Sequence, residues 1–162
     1  MNTPSADTPT RARILLVDDH PMMRRGIRQL LELEDDFLIV GEANNGEEAL
    51  SLIDSLQPQL ILLDNNMPQM NGVETLKRLR QVGYAGKILL FTVSDAEKDV
   101  RDALRFGADG YLLKDMEPEK LIQQVRVALR GELVISPTLT RVLAQALREP
   151  QATPQAELTE RE

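Results

Sequence analysis

The amino-acid sequence predicts an α/β fold, a doubly wound parallel sheet of five strands with helices on both faces. Five short apolar runs occur along the chain, at 14–17, 38–40, 60–63, 88–91 and 111–113. These runs are nearly continuous rather than alternating, which is typical of strands buried on both faces of a parallel sheet. The segments between them have helical spacing, so strands and helices alternate as in repeated right-handed βαβ units.

Four of the segments after these runs carry an apolar helical face. The faces consist of Met23, Ile27, Leu30 and Leu31; of Val73, Leu76 and Leu79; of Val100, Ala103 and Leu104; and of Leu121, Ile122, Val125, Ala128 and Leu129.

The predicted α/β domain covers residues 11–131. Residues 1–10 are polar and include two prolines, which predicts a disordered lead-in. Residues 132–157 are predicted to be a linker that contains a sixth amphipathic helix at about 138–148, with Ser136-Pro137 as its N-cap and first residue. A Pro/Gln/Ala stretch without periodicity follows, and only residues 158–162 come after it, which suggests a missing domain.

Composition excludes several classes of function. The chain has 162 residues, no cysteine and a net charge of -7. It therefore has no disulfides or thiolate metal site, and by itself it is poorly suited to neutralise nucleic-acid phosphates. No apolar run approaches the length of a bilayer and no secretion signal is visible at the start, so we expect a cytoplasmic protein without membrane contact.

Polar side chains follow the predicted strands at one edge of the sheet. The first strand ends in Asp18-Asp19, the third in Asp64 and the fourth in Thr92, and Lys114 follows the fifth. Ligands bind at the carboxyl ends of the strands in such sheets. Clustered carboxylates need a cation, and an all-oxygen site favours Mg²⁺. A metal, a lysine and a hydroxyl around a carboxylate suit phosphoryl transfer, with Asp64 as the nucleophile.

Each of these residues also has an ordinary structural interpretation. Asp18-Asp19 could form a strand-end turn, Asp64 an Asx-turn and Thr92 a helix cap, and Lys114 could be a solvated surface lysine. Only their joint placement favours a site.

Two further features stay open at the level of sequence. His20, the single histidine, precedes Pro21 at the start of a helix, where setting the loop is favoured over metal ligation or a phosphohistidine. Arg24, Arg25 and Arg28 form a basic helical face, which could be a solvated surface or a contact with an acidic partner.

The motif pattern resembles the response-regulator receiver family over about residues 13–131, in five functional positions and in the right order. The resemblance implies a flavodoxin/CheY-like fold with strand order 2-1-3-4-5. It also implies that Asp19, Asp64 and the backbone carbonyl of Asn66 bind Mg²⁺ directly, while Asp18 acts mostly through water.

The same resemblance assigns the remaining positions. Asp64 would be the phosphoacceptor, Thr92 and Lys114 would hold the phosphoryl oxygens, and Tyr111 matches the aromatic switch position. On phosphorylation, Thr92 would move toward the phosphoryl group and Tyr111 would follow inward, which changes the surface of the fourth helix, fifth strand and fifth helix.

Local strings narrow the resemblance to the NarL/FixJ subfamily, whose receivers precede a LuxR-type helix-turn-helix domain. The strings are LLVDDHPMMRRGI, NMPQMNGVETL and GADGYLLKDMEPE, and LTERE at 158–162 is similar to the opening of that domain. The nitrate/nitrite regulators resemble the chain most. This implies a sensor histidine kinase as partner, DNA binding only through the missing domain, and a possible phosphorylation-dependent homodimer.

Two positions depart from the family pattern. Asn65 follows the phosphoacceptor where an apolar residue is usual, and Gln69 stands where glycine is common in the subfamily. Asn65 could alter packing or access to the acyl phosphate, and Gln69 could stiffen the loop.

Two other functions compete with transcription control. A stand-alone receiver acting through protein contacts would not need the sixth helix, the linker and LTERE. An aspartyl-phosphate phosphatase would have an acid two residues after the nucleophile, where this chain has Asn66. We therefore expect no enzyme beyond self-catalysed phosphotransfer and autodephosphorylation.

Overall fold

The computed structural model of the protein describes residues 11–148. The predicted lead-in at 1–10, the end of the linker and residues 158–162 lie outside the described residues.

Strands and helices alternate along the described part of the chain, as the sequence predicts. The elements are β1 Ala12–Val17, α1 Pro21–Glu32, β2 Phe37–Ala43, α2 Gly46–Leu56, β3 Leu60–Leu63, α3 Gly72–Gln81, β4 Lys87–Thr92, α4 Glu97–Arg105, β5 Gly110–Leu113, α5 Pro118–Leu129, β6 Val134–Ile135 and α6 Pro137–Arg148.

The strands form one parallel sheet in the order β2-β1-β3-β4-β5-β6. This confirms the predicted doubly wound sheet with strand order 2-1-3-4-5. The predicted number of five strands needs a correction, because β6 adds a sixth at the β5 edge. It pairs Val134 with Gly110 and Ile135 with Tyr111. The apolar residues 133–135 are as long a run as 38–40, but they were assigned to the linker because the α/β domain was predicted to end at residue 131.

Two apolar layers cover the two faces of the sheet. Alternate residues of each strand point to opposite faces, since side chains in a strand have a period of two. Leu15, Leu63 and Leu90 pack in the layer with α2, α3 and α4. Leu16 and Leu62 pack in the layer with α1 and α5. The core therefore fixes the sheet from both sides and leaves its carboxyl edge for polar side chains.

The segment after α5 is attached to the sheet beside Tyr111. The Ser136 N–H donates to the Tyr111 carbonyl, and the Ser136 hydroxyl accepts the Leu113 N–H, both at 3.2 Å. The Ser136 carbonyl accepts the first N–H bonds of α6, as at an N-cap, but its hydroxyl is used on β5 instead. Leu139 of α6 is fully buried in the layer that contains α4, and α6 packs against α4.

No helix within residues 11–148 is both long enough and apolar enough to span a membrane.

Replacing Leu139 with alanine should lower the free energy of unfolding by about 2 to 4 kcal/mol, because it removes a fully buried side chain. Leu133→Ala is the matched control, since Leu133 is 59% exposed and should cost less than about 0.5 kcal/mol. Urea unfolding followed by circular dichroism measures both. Equal effects of the two substitutions would contradict the docking of α6.

Candidate functional site

The predicted polar residues meet at the carboxyl edge of the sheet, where the strand order reverses between β1 and β3. Asp18 and Asp19 follow β1, and Asp64 follows β3. Val17 pairs with Leu63, and the Asp64 N–H donates to the Val17 carbonyl at 2.9 Å. This register places the acidic residues of the two strands side by side.

Lys114 reaches this acidic group from the end of β5. Its Nζ lies 2.8 Å from Asp18 Oδ2 and 3.5 Å from Asp64 Oδ2, and its side chain is only 7% exposed. Burial alone would raise the pKa of Asp18, but hydrogen bonds from Lys114 and His20 outweigh burial and lower it. Asp18 is therefore held ionised beside the buried ammonium.

The two oxygens of Asp64 are in different environments. Oδ1 accepts the Asn66 N–H at 3.2 Å, which is the Asx-turn considered as the ordinary interpretation. Oδ2 is buried and accepts no hydrogen bond from the residues that the structure describes. Burial raises the pKa of Asp64, while the charge of Lys114 acts in the opposite direction. One oxygen is thus used to orient the carboxylate and the other remains available.

His20 points its ring into the same group. Its Nδ1 lies 2.7 Å from Asp18 Oδ1, 3.0 Å from Asp19 Oδ1 and 3.7 Å from Asp64 Oδ2. Its backbone N–H also bonds to Asp18 Oδ1, at 2.8 Å. The hydrogen bond to Asp18 raises the pKa of the imidazole. The sequence favoured a role in the loop, and the contact of the ring with the carboxylates was not predicted.

The donor set fits a hard divalent cation. Asp18, Asp19, His20 and Asp64 each offer a ligand atom, and these atoms lie within 4.8 Å of one another. Asp19 Oδ1 and Asp64 Oδ2 are buried and accept no hydrogen bond within residues 11–148. Their charge contacts with His20 and Lys114 leave these buried oxygens without a hydrogen bond, which is costly, and a cation would satisfy them.

Thr92 and Tyr111 meet through the backbone of Ser94. Thr92 ends β4, is fully buried, and its hydroxyl accepts the Ser94 N–H at 3.4 Å. The Tyr111 hydroxyl donates to the Ser94 carbonyl at 2.9 Å. The N-cap of α4 is Ala96, so Thr92 does not cap that helix. Tyr111 is already fully buried, and the pKa of its hydroxyl is raised by burial to about 12. In this structure the Tyr111 ring is therefore in an inward position.

Asn65 and Asn71 together satisfy the first four N–H groups of α3. The Asn65 carbonyl accepts the Gly72 N–H at 3.1 Å, and Asn65 Oδ1 accepts the Val73 N–H at 2.9 Å. The Asn71 side chain and carbonyl accept the next two, each at 2.9 Å. Asn65, which departs from the family pattern, thus provides a buried cap of α3 directly after Asp64.

Close packing brings the start of α3 against the chain at Asp64. A Cβ on Gly72 would lie 2.5 Å from the Asp64 carbonyl oxygen, so only glycine fits there. In the same loop Gln69 has φ 70, a left-handed conformation that favours glycine and costs a residue with a side chain about 1 kcal/mol. The loop after Asp64 is therefore held tightly, with some backbone strain at Gln69.

Comparison with known proteins agrees with this geometry. Residues 14–126 match the response regulator receiver domain. The chain belongs to this family. It is 54% identical to the nitrate/nitrite response regulator protein NarL of Escherichia coli (strain K12), over 92% of this chain and 69% of that protein. It is 44% identical to the nitrate/nitrite response regulator protein NarP of the same strain, over 94% of this chain and 72% of that protein.

Solved receiver structures have the same fold. A two-component response regulator of the LuxR family from Aurantimonas sp. SI85-9A1 superposes with a TM-score of 0.82 at 34% identity. That match covers 86% of this chain and 100% of that chain. A LuxR-family DNA-binding response regulator from Staphylococcus aureus gives a TM-score of 0.69 at 28% identity, over 73% and 98% of the two chains.

Sequence reasoning left the basic face of α1 open, and the structure separates its members. Arg24 and Arg28 both form ion pairs with Glu42 of β2, at 2.6 Å each, whereas Arg25 is exposed. Two of the three arginines are therefore committed to contacts within the receiver. The only sign of these pairs in the sequence was the presence of an acidic residue on β2. Hydrophobic periodicity does not show which residues of α1 lie next to it.

We expect the pKa of His20 to lie above about 6.5 in the metal-free protein, because its ring is hydrogen-bonded to Asp18. The stabilisation from the protonated ring is then complete below about pH 6.5 and is lost as the pH rises through the folded-state pKa. Mg²⁺ should lower this pKa, since a cation among the carboxylates repels the imidazolium. A proton NMR titration of the single histidine measures both effects. A pKa below the ordinary value, or one indifferent to Mg²⁺, would contradict the arrangement.

Asn65→Ala should lower the free energy of unfolding by about 1 to 3 kcal/mol, because it leaves the Val73 N–H buried without an acceptor. Asn71→Ala should cost about 1 kcal/mol, as the loss of a more exposed cap of the same helix. Urea unfolding of both variants gives the comparison. A smaller cost for Asn65 than for Asn71 would show that the buried cap is not the stronger of the two.

Proposed function

We propose that this chain is the phosphoacceptor receiver of a two-component transcription regulator, and that a sensor histidine kinase transfers a phosphoryl group to Asp64. The observation that carries the proposal is the buried Asp64 Oδ2, which accepts no hydrogen bond within residues 11–148 and lies 3.5 Å from Lys114 Nζ. An available carboxylate oxygen beside a buried cation is what an acyl phosphate needs.

The proposed cation is Mg²⁺, held by Asp19, Asp64 and the backbone carbonyl of Asn66, with Asp18 acting mostly through water. The buried oxygens of Asp19 and Asp64 that accept no hydrogen bond within residues 11–148 support this set. When bound, Mg²⁺ would neutralise the negative charge that gathers on the transferred phosphoryl group. Asn66 is proposed as a ligand through its backbone carbonyl, because the resemblance to the receiver family assigns that position.

Asp64 Oδ2 would act as the nucleophile. A lone pair of Oδ2 forms the bond to phosphorus as the bond from phosphorus to the kinase histidine nitrogen breaks, and the electron pair leaves with the imidazole. Lys114 would bind one phosphoryl oxygen, and the Thr92 hydroxyl would donate a hydrogen bond to another. Burial favours the neutral form of Asp64, so Lys114 and the cation are needed to keep it ionised.

The switch would run from Thr92 through Ser94 to Tyr111. A phosphoryl group at Asp64 would attract the Thr92 hydroxyl, which now accepts the Ser94 N–H. Because Tyr111 is already inward and bonded to Ser94, phosphorylation would favour this arrangement among pre-existing states of the α4-β5-α5 surface. Ser136 of the linker bonds to the backbone of Tyr111 and Leu113, so the change would reach α6 directly.

The output and the signal rest on the relatives. NarL and NarP are named as nitrate/nitrite response regulators, and on this basis we propose nitrate/nitrite signalling with control of a C-terminal DNA-binding domain. A phosphorylation-dependent homodimer is part of the same proposal. The stand-alone receiver is not favoured, because relatives over most of the chain are transcription regulators. The chemistry proposed is self-catalysed phosphotransfer and autodephosphorylation, with no external substrate turned over.

Incubation with Mg²⁺ and acetyl phosphate should add one phosphoryl group to the protein, detected by intact mass spectrometry. Asp64→Asn should gain none, and excess EDTA should reduce the gain by at least about tenfold. Asp54→Asn, at an exposed carboxylate of α2, is the matched control and should behave like the unmodified protein. A phosphoryl group retained by Asp64→Asn would overturn the assignment of the phosphoacceptor.

A further inference from the structure

Arg24 lies directly behind the acidic residues and has no role in the proposed chemistry. Its side chain is 13% exposed, and its guanidinium reaches three acceptors on different segments. Nε donates to Glu42 Oε1 of β2 at 2.6 Å. Nη1 donates to the Asp18 carbonyl at 2.5 Å and to Asn44 Oδ1 at 2.8 Å. A cavity of about 10 Å³ is lined by Arg24, Asp18 and Asp64, so the arginine reaches the underside of the site.

The Asp18 carbonyl belongs to the peptide that joins the two acidic residues. The Asp18 N–H is also bonded, to the Ala43 carbonyl of β2 at 3.1 Å, so β2 holds one side of this residue and Arg24 of α1 holds the other. The Asp19 carboxylate is held less firmly: its buried Oδ1 accepts no hydrogen bond from any described residue, and the His20 Nδ1 that lies 3.0 Å from it belongs to a side chain that is 58% exposed. The direction of the Asp19 side chain therefore depends on its backbone, and that backbone depends on the Asp18–Asp19 peptide.

We propose that Arg24 is a positioning residue that fixes the Asp18–Asp19 peptide and thereby sets the affinity of the acidic pair for Mg²⁺. The inference rests on the proposed function, because it assigns a role toward the cation of that site. Arg24 acts through the peptide and does not itself touch the cation or the phosphoryl group. Partners of this kind behind metal ligands commonly change metal affinity by about 10- to 100-fold.

The planar shape of the guanidinium is central to this role. A guanidinium donates in several fixed directions at once, whereas a lysine ammonium is a point charge on a flexible stem. Arg24→Lys therefore keeps the charge near Glu42 but cannot serve all three acceptors.

Arg28 provides a matched control on the same helix. It pairs with the other oxygen of Glu42 at 2.6 Å, and its second partner is Glu32 of α1. Its hydrogen-bond partners among the described residues do not include Asp18 or Asn44. Arg28→Lys thus perturbs the same ion-pair network without touching the peptide of the acidic pair.

The test is a Mg²⁺ titration of the unmodified protein, Arg24→Lys and Arg28→Lys at constant ionic strength. The chain has no tryptophan, so amide NMR shifts at 18 and 19 or calorimetry serve as readouts. Arg24→Lys should weaken Mg²⁺ binding about tenfold, and Arg28→Lys should stay within about twofold. At saturating Mg²⁺, the phosphorylation rate of Arg24→Lys should return to within about threefold of the unmodified rate, because positioning affects binding and not the reacting groups.

The outcomes separate the two proposals. Equal Mg²⁺ affinities of all three proteins, or equal weakening by both substitutions, would overturn the role of Arg24 and leave the proposed function intact. Failure of the unmodified protein to bind Mg²⁺ or to take up a phosphoryl group would overturn the proposed function. Should Arg24→Lys fail to fold, Asn44→Ala removes one acceptor of the same guanidinium and should weaken binding about threefold, and an unchanged affinity there would also overturn the role of Arg24.

Discussion

The ion pair between Lys114 Nζ and Asp18 Oδ2 joins the ends of two strands that are not neighbours in the sheet. Lys114 follows β5 and Asp18 follows β1, with β3 and β4 between them. Both side chains are less than a tenth exposed, and removal of one partner from such a pair leaves an uncompensated buried charge. The pair thus holds Lys114 over Asp64 and allows several carboxylates to share one edge of the sheet.

Hydrogen bonds between side chains and the backbone extend this constraint away from the charges. Asn65 ties the chain after Asp64 to α3, and Ser94 ties Thr92 to Tyr111. Two hydrogen-bonded connections therefore lead away from the Asp64 region, one to α3 and one to β5. The connection to β5 continues through Ser136 into the linker. A short series of direct contacts therefore joins the acidic edge of the sheet to the segment after α5.

The strands and the meeting of the polar residues were predictable because parallel strands end at the same edge. Once 60–63 and 111–113 are recognised as buried strands, the places of Asp64 and Lys114 follow from chain order alone. Side-chain directions in loops do not follow in this way: the His20 ring could have pointed to solvent, and the partners of Arg24 depend on the register of β2 with α1. The family pattern located Asn65 as a departure, but its bond to Val73 required the position of α3. The strand β6 was missed because its apolar run at 133–135 follows the predicted end of the domain at residue 131 and was assigned to the linker.

The short strand β6 also has a consequence for association between chains. Without it, β5 would present a row of unpaired backbone groups, which is a template for edge-to-edge pairing and aggregation. With it, the outermost strand is only Val134–Ile135, and the next residue but one, Pro137, has no N–H to donate. A chain cut after Gly131 would keep every residue of the acidic site and expose this edge, so its solubility would depend on a segment that takes no part in the chemistry.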